Sequence, residues 1–170
     1  MTTLSAPGPR IIVMGPSASG KTTLARALAQ ALQARYLEGD ELHPAANVEK
    51  MRAGVALDDA DRAPWLDAMG RALCQHPAQA VVATCSALKR RYRDQLRAAA
   101  GPLHFVHPVV SRQALSRRLA VRSGHYMPAS LLDSQLADLE PLSVDEPGFV
   151  VDGAASVDSL VELVRSRLGL

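Results

Sequence analysis

The residues best equipped for chemistry stand close to the start of the chain, as Gly15-Pro16-Ser17-Ala18-Ser19-Gly20-Lys21-Thr22, a G-x-x-x-x-G-K-T pattern. A triphosphate is held by several backbone N–H groups aimed at one spot, and side chains obstruct that convergence. Gly15 and Gly20 let the backbone curl without Cβ clashes. Lys21 brings a compact positive charge to the β- and γ-phosphates, and the Thr22 hydroxyl is a ligand for Mg²⁺. A helix starting near Lys21 adds the positive end of its dipole. In isolation a Gly/Ser-rich turn with an accidental lysine looks the same, so the flanks decide. Before the pattern runs Arg10-Ile11-Ile12-Val13-Met14, apolar, β-branched and of strand length. After it Leu24, Leu28, Ala31 and Leu32 recur at helical spacing.

Asp40 is the next most informative residue. It follows Gly39 directly after the short run Arg35-Tyr36-Leu37-Glu38. A kinase acting on an alcohol needs a carboxylate to orient the attacking hydroxyl and accept its proton. The plainer roles are an aspartate turn or a cap for a helix after Pro44. His43 is placed either to hydrogen-bond a polar substrate or to pack on the turn. Asp58, Asp59 and Asp61 lack regular metal-ligand spacing, which leaves helix capping as their expected role. Arg62 beside them pairs locally or clamps a substrate carboxylate. Lys89 opens a basic stretch with Arg90, Arg91, Arg93 and Arg97. Most of that stretch reads as a solvated face. Lys89, in the first turn after a strand, is expected near substrate or phosphate, with Arg93 on the same face. Arg117, Arg118 and Arg122 flank a loop containing Gly124, a pattern that reads as a lid carrying arginine to the transferring phosphoryl group. Cys74 and Cys85 read as small buried hydrophobes and Trp65 as core.

These residues need a scaffold, and the apolar pattern describes one. Strands are expected at residues 10–14, 35–38, 80–85, 103–110 and 148–152, separated by helices. The first helix runs to about Gln33. A second covers 45–53, and a third carries Trp65, Leu66, Met69 and Leu73 inward, with Pro64 in its first turn. A fourth starts from a possible Ser86 cap. Helices at 111–122 and 129–139 bracket the Gly124 loop, and Val157, Leu160, Val161, Val164 and Leu168 mark the last. Alternating strands and helices imply a parallel sheet with right-handed crossovers. Ligands of such sheets sit at the carboxyl ends of the strands. The glycine loop, Gly39-Asp40 and Cys85-Ser86 therefore converge on one crevice. At 170 residues the chain suits one domain, residues 10–170, after a loose tail at 1–9. A formal charge of +2 gives no argument for nucleic acid. No run reaches the length of a membrane span and the first residues are no signal peptide, so the reading is a soluble, cytoplasmic protein.

Taken together, these residues resemble the gluconate kinase (gluconokinase) family, small P-loop kinases related to shikimate and adenylate kinases. The resemblance covers nearly everything from Arg10 onward. Besides the glycine loop it rests on Gly39-Asp40-Glu41-Leu42-His43-Pro44-Ala45-Ala46-Asn47-Val48-Glu49-Lys50-Met51, and on Leu57-Asp58-Asp59-Ala60-Asp61-Arg62-Ala63-Pro64-Trp65-Leu66. It continues through Cys85-Ser86-Ala87-Leu88-Lys89 and Arg122-Ser123-Gly124-His125-Tyr126-Met127. The family often has aspartate where Glu38 stands and usually proline where Ala56 stands. Pro16 and Ala18 stand where a valine-like residue and a glycine are expected.

The resemblance implies an α/β P-loop kinase fold, a five-stranded parallel sheet flanked by helices with a mobile lid at about 117–130. It implies transfer of a phosphoryl group from ATP, with Mg²⁺, to the 6-hydroxyl of D-gluconate, by a homodimer without nucleic-acid or membrane partners. Nucleotide contacts are expected from Gly15, Pro16, Ser17, Ala18, Ser19, Gly20, Lys21, Thr22 and Thr23, with Arg118 and Arg122. Acceptor contacts are expected from Asp40, His43, Arg62, Lys89 and His125. Lys21, Asp40 and Arg122 are the expected catalytic groups. The competing readings are another small-molecule P-loop kinase, of shikimate or nucleotide type, and a nucleotide-binding sensor that transfers nothing.

Overall fold

The computed structural model describes residues 7–122 and 128–170. His125 and the centre of the expected lid, like residues 1–6 of the expected tail, lie outside the described residues. Gly8 and Pro9, read as tail, are already tied down. The Gly8 N–H donates to the Pro77 carbonyl at 3.0 Å, and the Pro9 carbonyl accepts from Val81 N–H at 2.9 Å.

Five strands, β1 (Arg10–Val13), β2 (Arg35–Glu38), β3 (Val81–Thr84), β4 (His104–Val109) and β5 (Gly148–Asp152), form one sheet in the order β2-β3-β1-β4-β5. Every pairing is parallel, with Ile12 opposite Ala83 on one side and Phe105 on the other. The central strands β1 and β3 are buried throughout. That is why their sequences are unbroken apolar runs rather than alternating ones. Successive β1 residues still serve opposite faces. Ile12 and Met14 pack with Trp65, Leu66, Met69 and Leu73 of α3 (Asp59–Cys74) and with Tyr92 and Leu96 of α4 (Arg90–Ala100). Ile11 and Val13 pack with Leu24 and Leu28 of α1 (Lys21–Ala31) and with Leu160, Val161 and Val164 of α7 (Val157–Leu168). α2 (Ala45–Arg52), α5 (Arg112–Val121) and α6 (Leu132–Asp138) lie around the carboxyl edge. Arg10, buried at the opposite edge, donates from Nε to the Leu73 carbonyl and from Nη1 to that of Ala100. One cation thereby serves the C-terminal ends of both α3 and α4.

Two boundaries differ from the sequence expectation. The Ser86 cap does not form: α4 begins at Arg90 after the N-cap Lys89. Residues 86–89 are held open instead, because the Ser86 carbonyl accepts the Gly15 N–H at 3.1 Å and Arg93 takes the Ala87 and Leu88 carbonyls. Pro64 lies inside α3, not in its first turn. A capping box between Asp58 and Asp61 starts the helix earlier. Among the described residues no helix is long and apolar enough to cross a membrane.

Candidate active site

The carboxyl ends of the strands open into a cavity of about 640 Å³. β1 feeds the glycine loop, in which Gly15 (φ +131°) and Gly20 (φ +90°) take backbone conformations that other residues rarely adopt. A Cβ on Gly15 would also come within 3.1 Å of both His107 and Ser19. Ala18 adopts φ +64° without being glycine. The hydroxyls of Ser17 and Ser19 are buried and have no hydrogen-bond partner among the described residues. A curled backbone, two unsatisfied hydroxyls and the start of α1 fit an anion such as a phosphate.

Lys21 is half-buried beneath this loop and donates to the Pro16 carbonyl at 2.7 Å. Burial lowers its pKa, and the nearby Asp40 and Glu38 carboxylates oppose that shift. Thr22 donates to Glu38 Oε2 at 3.0 Å. Glu38 also accepts from the hydroxyls of Thr84 and Tyr36. Burial alone would raise its pKa, but those hydrogen bonds outweigh it and hold the carboxylate below its ordinary value. A hydroxyl beside an ionised carboxylate is an all-oxygen donor set, which fits Mg²⁺. Sequence reading chose Thr22 and passed over Glu38. The signal was present, since Glu38 stands where the resembled family often has aspartate.

The wall expected to face the acceptor is built at the end of β2. Gly39 opens a 3-10 turn, Gly39–Leu42, under three constraints. Its N–H donates to Thr84 Oγ1 at 3.0 Å, its carbonyl accepts from Trp65 Nε1 at 2.8 Å, and a Cβ would lie 2.0 Å from the Thr84 carbonyl oxygen. Only glycine fits, and Asp40 is thereby held at the cavity wall facing Lys21. Trp65 is core, as expected, but it also supports the site: its ring stacks on His43 at 4.1 Å and 16°. Burial, and next the charge of Arg62, push the His43 imidazole down to about 4. Asn47 Nδ2, anchored on the Asp61 carbonyl at 2.8 Å, lies 3.3 Å from His43 Nδ1. An amide N–H donates, so Nδ1 accepts and the ring proton sits on Nε2. His43 is then a neutral donor at neutral pH.

Arg62 is buried, lines the cavity and lies 5.5 Å over the Tyr92 ring. Its Nε has no hydrogen-bond partner among the described residues. Arg118 reaches from α5 to the glycine loop, donating to the Ala18 carbonyl at 3.1 Å, and Arg122 lines the cavity beyond it. Gly153, Ala154, Ala155, Val157 and Leu160 form a mostly apolar end beside Arg118. Ser17 through Thr22, with Thr23, also line the cavity, while Gly15 and Pro16 shape the loop from behind.

Lys89 is not brought to the cavity lining. Its ammonium lies 3.4 Å from Asp59 and 3.5 Å from Asp138. Arg93 does not share a ligand-facing surface with it. It is fully buried and donates from Nε and Nη2 to Glu146 at 2.7 and 2.9 Å. A residue that sequence reading missed entirely is Gln135 of α6, whose Oε1 accepts the Ser17 N–H at 2.7 Å. No local pattern distinguishes it from any other helix glutamine.

Comparison with known proteins identifies the family. Residues 11–142 match the protein family described as AAA domain. A gluconokinase from Gluconobacter oxydans is 50% identical over 163 residues, covering 91% of this chain and 89% of that one. The crystal structure of a gluconokinase from Sinorhizobium meliloti superposes with a TM-score of 0.83 at 42% identity, over 97% of this chain and 93% of the other. An unliganded sugar kinase from a Janibacter species superposes with a TM-score of 0.91 at 39% identity, over 96% and 95%. With its glycine loop and these relatives spanning nearly its whole length, the chain belongs to the gluconokinase family.

Proposed function

We propose that this kinase transfers the γ-phosphoryl group of ATP to the 6-hydroxyl of D-gluconate, giving 6-phosphogluconate and ADP. The observation that carries the reading is one cavity with the glycine loop and Lys21 on one side and, on the other, Asp40, neutral His43 and Arg62, whose Nε has no hydrogen-bond partner among the described residues. A sugar acid has a matching design, with hydroxyls for His43 and a carboxylate for the Arg62 fork. Asp40 orients the attacking hydroxyl and accepts its proton as the new oxygen–phosphorus bond forms and the bond to the ADP oxygen breaks. The transition state of such transfers is loose, so positioning and charge matter more than base strength. Lys21 neutralises the β- and γ-phosphates. Thr22 and Glu38 would hold Mg²⁺, which when bound offsets phosphate charge. Arg118 and Arg122 serve the nucleotide side, within the lid reading for residues 117–130. The apolar end near Val157 and Leu160 suits the adenine. A cytoplasmic homodimer belongs to the same reading.

An ADP-release assay with Mg²⁺-ATP tests it, with D-gluconate run beside other aldonic acids, shikimate, glucose and AMP. Turnover with gluconate is expected. Turnover only with another acceptor refutes the substrate, and ATP binding without turnover on any acceptor refutes the transfer.

A further inference from the structure

Gln135 links two parts of the chain 118 residues apart. It projects from α6, is 9% exposed, and gives its carboxamide oxygen to the backbone of the glycine loop. Where it touches is informative. Ser17 donates to Gln135 at 2.7 Å, and the preceding carbonyl, that of Pro16, accepts the Lys21 ammonium at 2.7 Å. The carboxamide and the ammonium thus meet at one peptide unit. Lys21 is the cation of the β- and γ-phosphates, and the Asp40 carboxylate is close enough to act on its titration. Arg118 holds the other part of the loop, at Ala18. Gln135 therefore stands where the phosphoryl group changes hands. The choice of side chain fits that place: an apolar residue would strand the Ser17 N–H, and a carboxylate would repel the phosphates.

We infer that Gln135 is a positioning residue for phosphoryl transfer, fixing the Ser17 peptide so that the γ-phosphoryl group lies in line with the acceptor hydroxyl. This rests on the transfer reading given above. It acts through Ser17 and the loop, so its removal shifts alignment more than affinity.

Two variants test it. Gln135→Met keeps the length and loses the acceptor, whereas Gln135→Glu keeps the acceptor and adds charge. Hydrogen exchange at the Ser17 amide, followed by NMR without ligands, is expected to rise about tenfold or more in Gln135→Met and to stay slow in Gln135→Glu. Per active site, Gln135→Met is expected to lower kcat by roughly 10- to 100-fold with KM for gluconate changed less than about threefold, as for a small misplacement. Gln135→Glu is expected to raise KM for ATP as well. Unchanged Ser17 exchange in Gln135→Met, or wild-type kcat per active site in both folded variants, overturns the inference. If the wild type fails to phosphorylate gluconate, the substrate reading falls. Ser17 exchange and slow ATP hydrolysis by the same loop still decide for or against Gln135.

Discussion

Two buried arginines one helix apart have opposite fates. Arg93 on α4 is fully satisfied: both oxygens of Glu146 and the carbonyls of Ala87, Leu88, Glu140 and Pro141 accept from it. Arg62 on α3 is nearly as buried, yet its Nε has no hydrogen-bond partner among the described residues and its guanidinium lies over the Tyr92 ring. Desolvating a guanidinium is costly. Where the protein compensates that cost itself, the arginine is architecture. Where it does not, the compensation is left to a ligand. Arg93 holds residues 86–89 and the approach to β5, and Arg62 waits at the cavity wall.

Substitutions sharpen this contrast. The largest effect is expected at Asp40, on the open side. Asp40→Asn should lower kcat by roughly 10²–10⁴-fold while leaving the thermal midpoint in place. A raised KM at normal kcat would reduce Asp40 to a binding group. Arg93→Met should cost about 3–5 kcal/mol of stability, because Glu146 is left buried and unpaired. Urea unfolding measures this, and a loss under about 1 kcal/mol would erase the distinction between the two arginines. Arg62→Met should do the reverse. KM for gluconate should rise by roughly 10- to 100-fold with stability changed by less than about 1 kcal/mol. A large stability loss there would make Arg62 architecture too.

Acid should separate the two regions more gently. His43 and His107 flank the site, and both are held at about 4, far below the ordinary imidazole value, chiefly by burial. Their folded forms resist protonation, so the stability they favour is present above about pH 6.5 and declines as pH falls toward 4. Glu146 is held at about 2: burial raises it, but Arg93, the Ser143 N–H and Arg97 together outweigh that. Its contribution persists above about pH 4.5 and is lost as pH falls toward 2. Unfolding midpoints across this range should fall in two stages, with His107→Gln flattening only the upper one. A single stage below pH 4.5 would contradict the assignment to the histidines.

Much of this was legible in the chain itself. β1 and β3 read as continuous apolar runs because both their faces are covered. The glycine loop was readable because it is contiguous and its flanks confirm it. Asp40 followed from its place at a strand end. What escaped has a common cause. Gln135 is defined by Ser17, 118 positions away. Arg93 looked like a companion of Lys89 on a ligand-facing helix face, because Glu146, which neutralises it, belongs to a distant loop. Ser86 looked like a cap because its type suits one, whereas its carbonyl is engaged by Gly15. Periodicity reports which face of an element is buried, not which distant polar group will meet it there.

The stacking of His43 on Trp65 has a practical consequence. Trp65 is the protein's single tryptophan, fully buried, with its ring nitrogen hydrogen-bonded to the residue that positions Asp40. All indole emission therefore comes from one ring at the acceptor wall. A protonated imidazole quenches a stacked indole, so fluorescence should dim as His43 titrates near pH 4. An acceptor that engages Nε2 should perturb the same signal. On the proposed reading of His43 as an acceptor contact, this ring is an optical gauge of acceptor occupancy, readable without label, nucleotide or turnover.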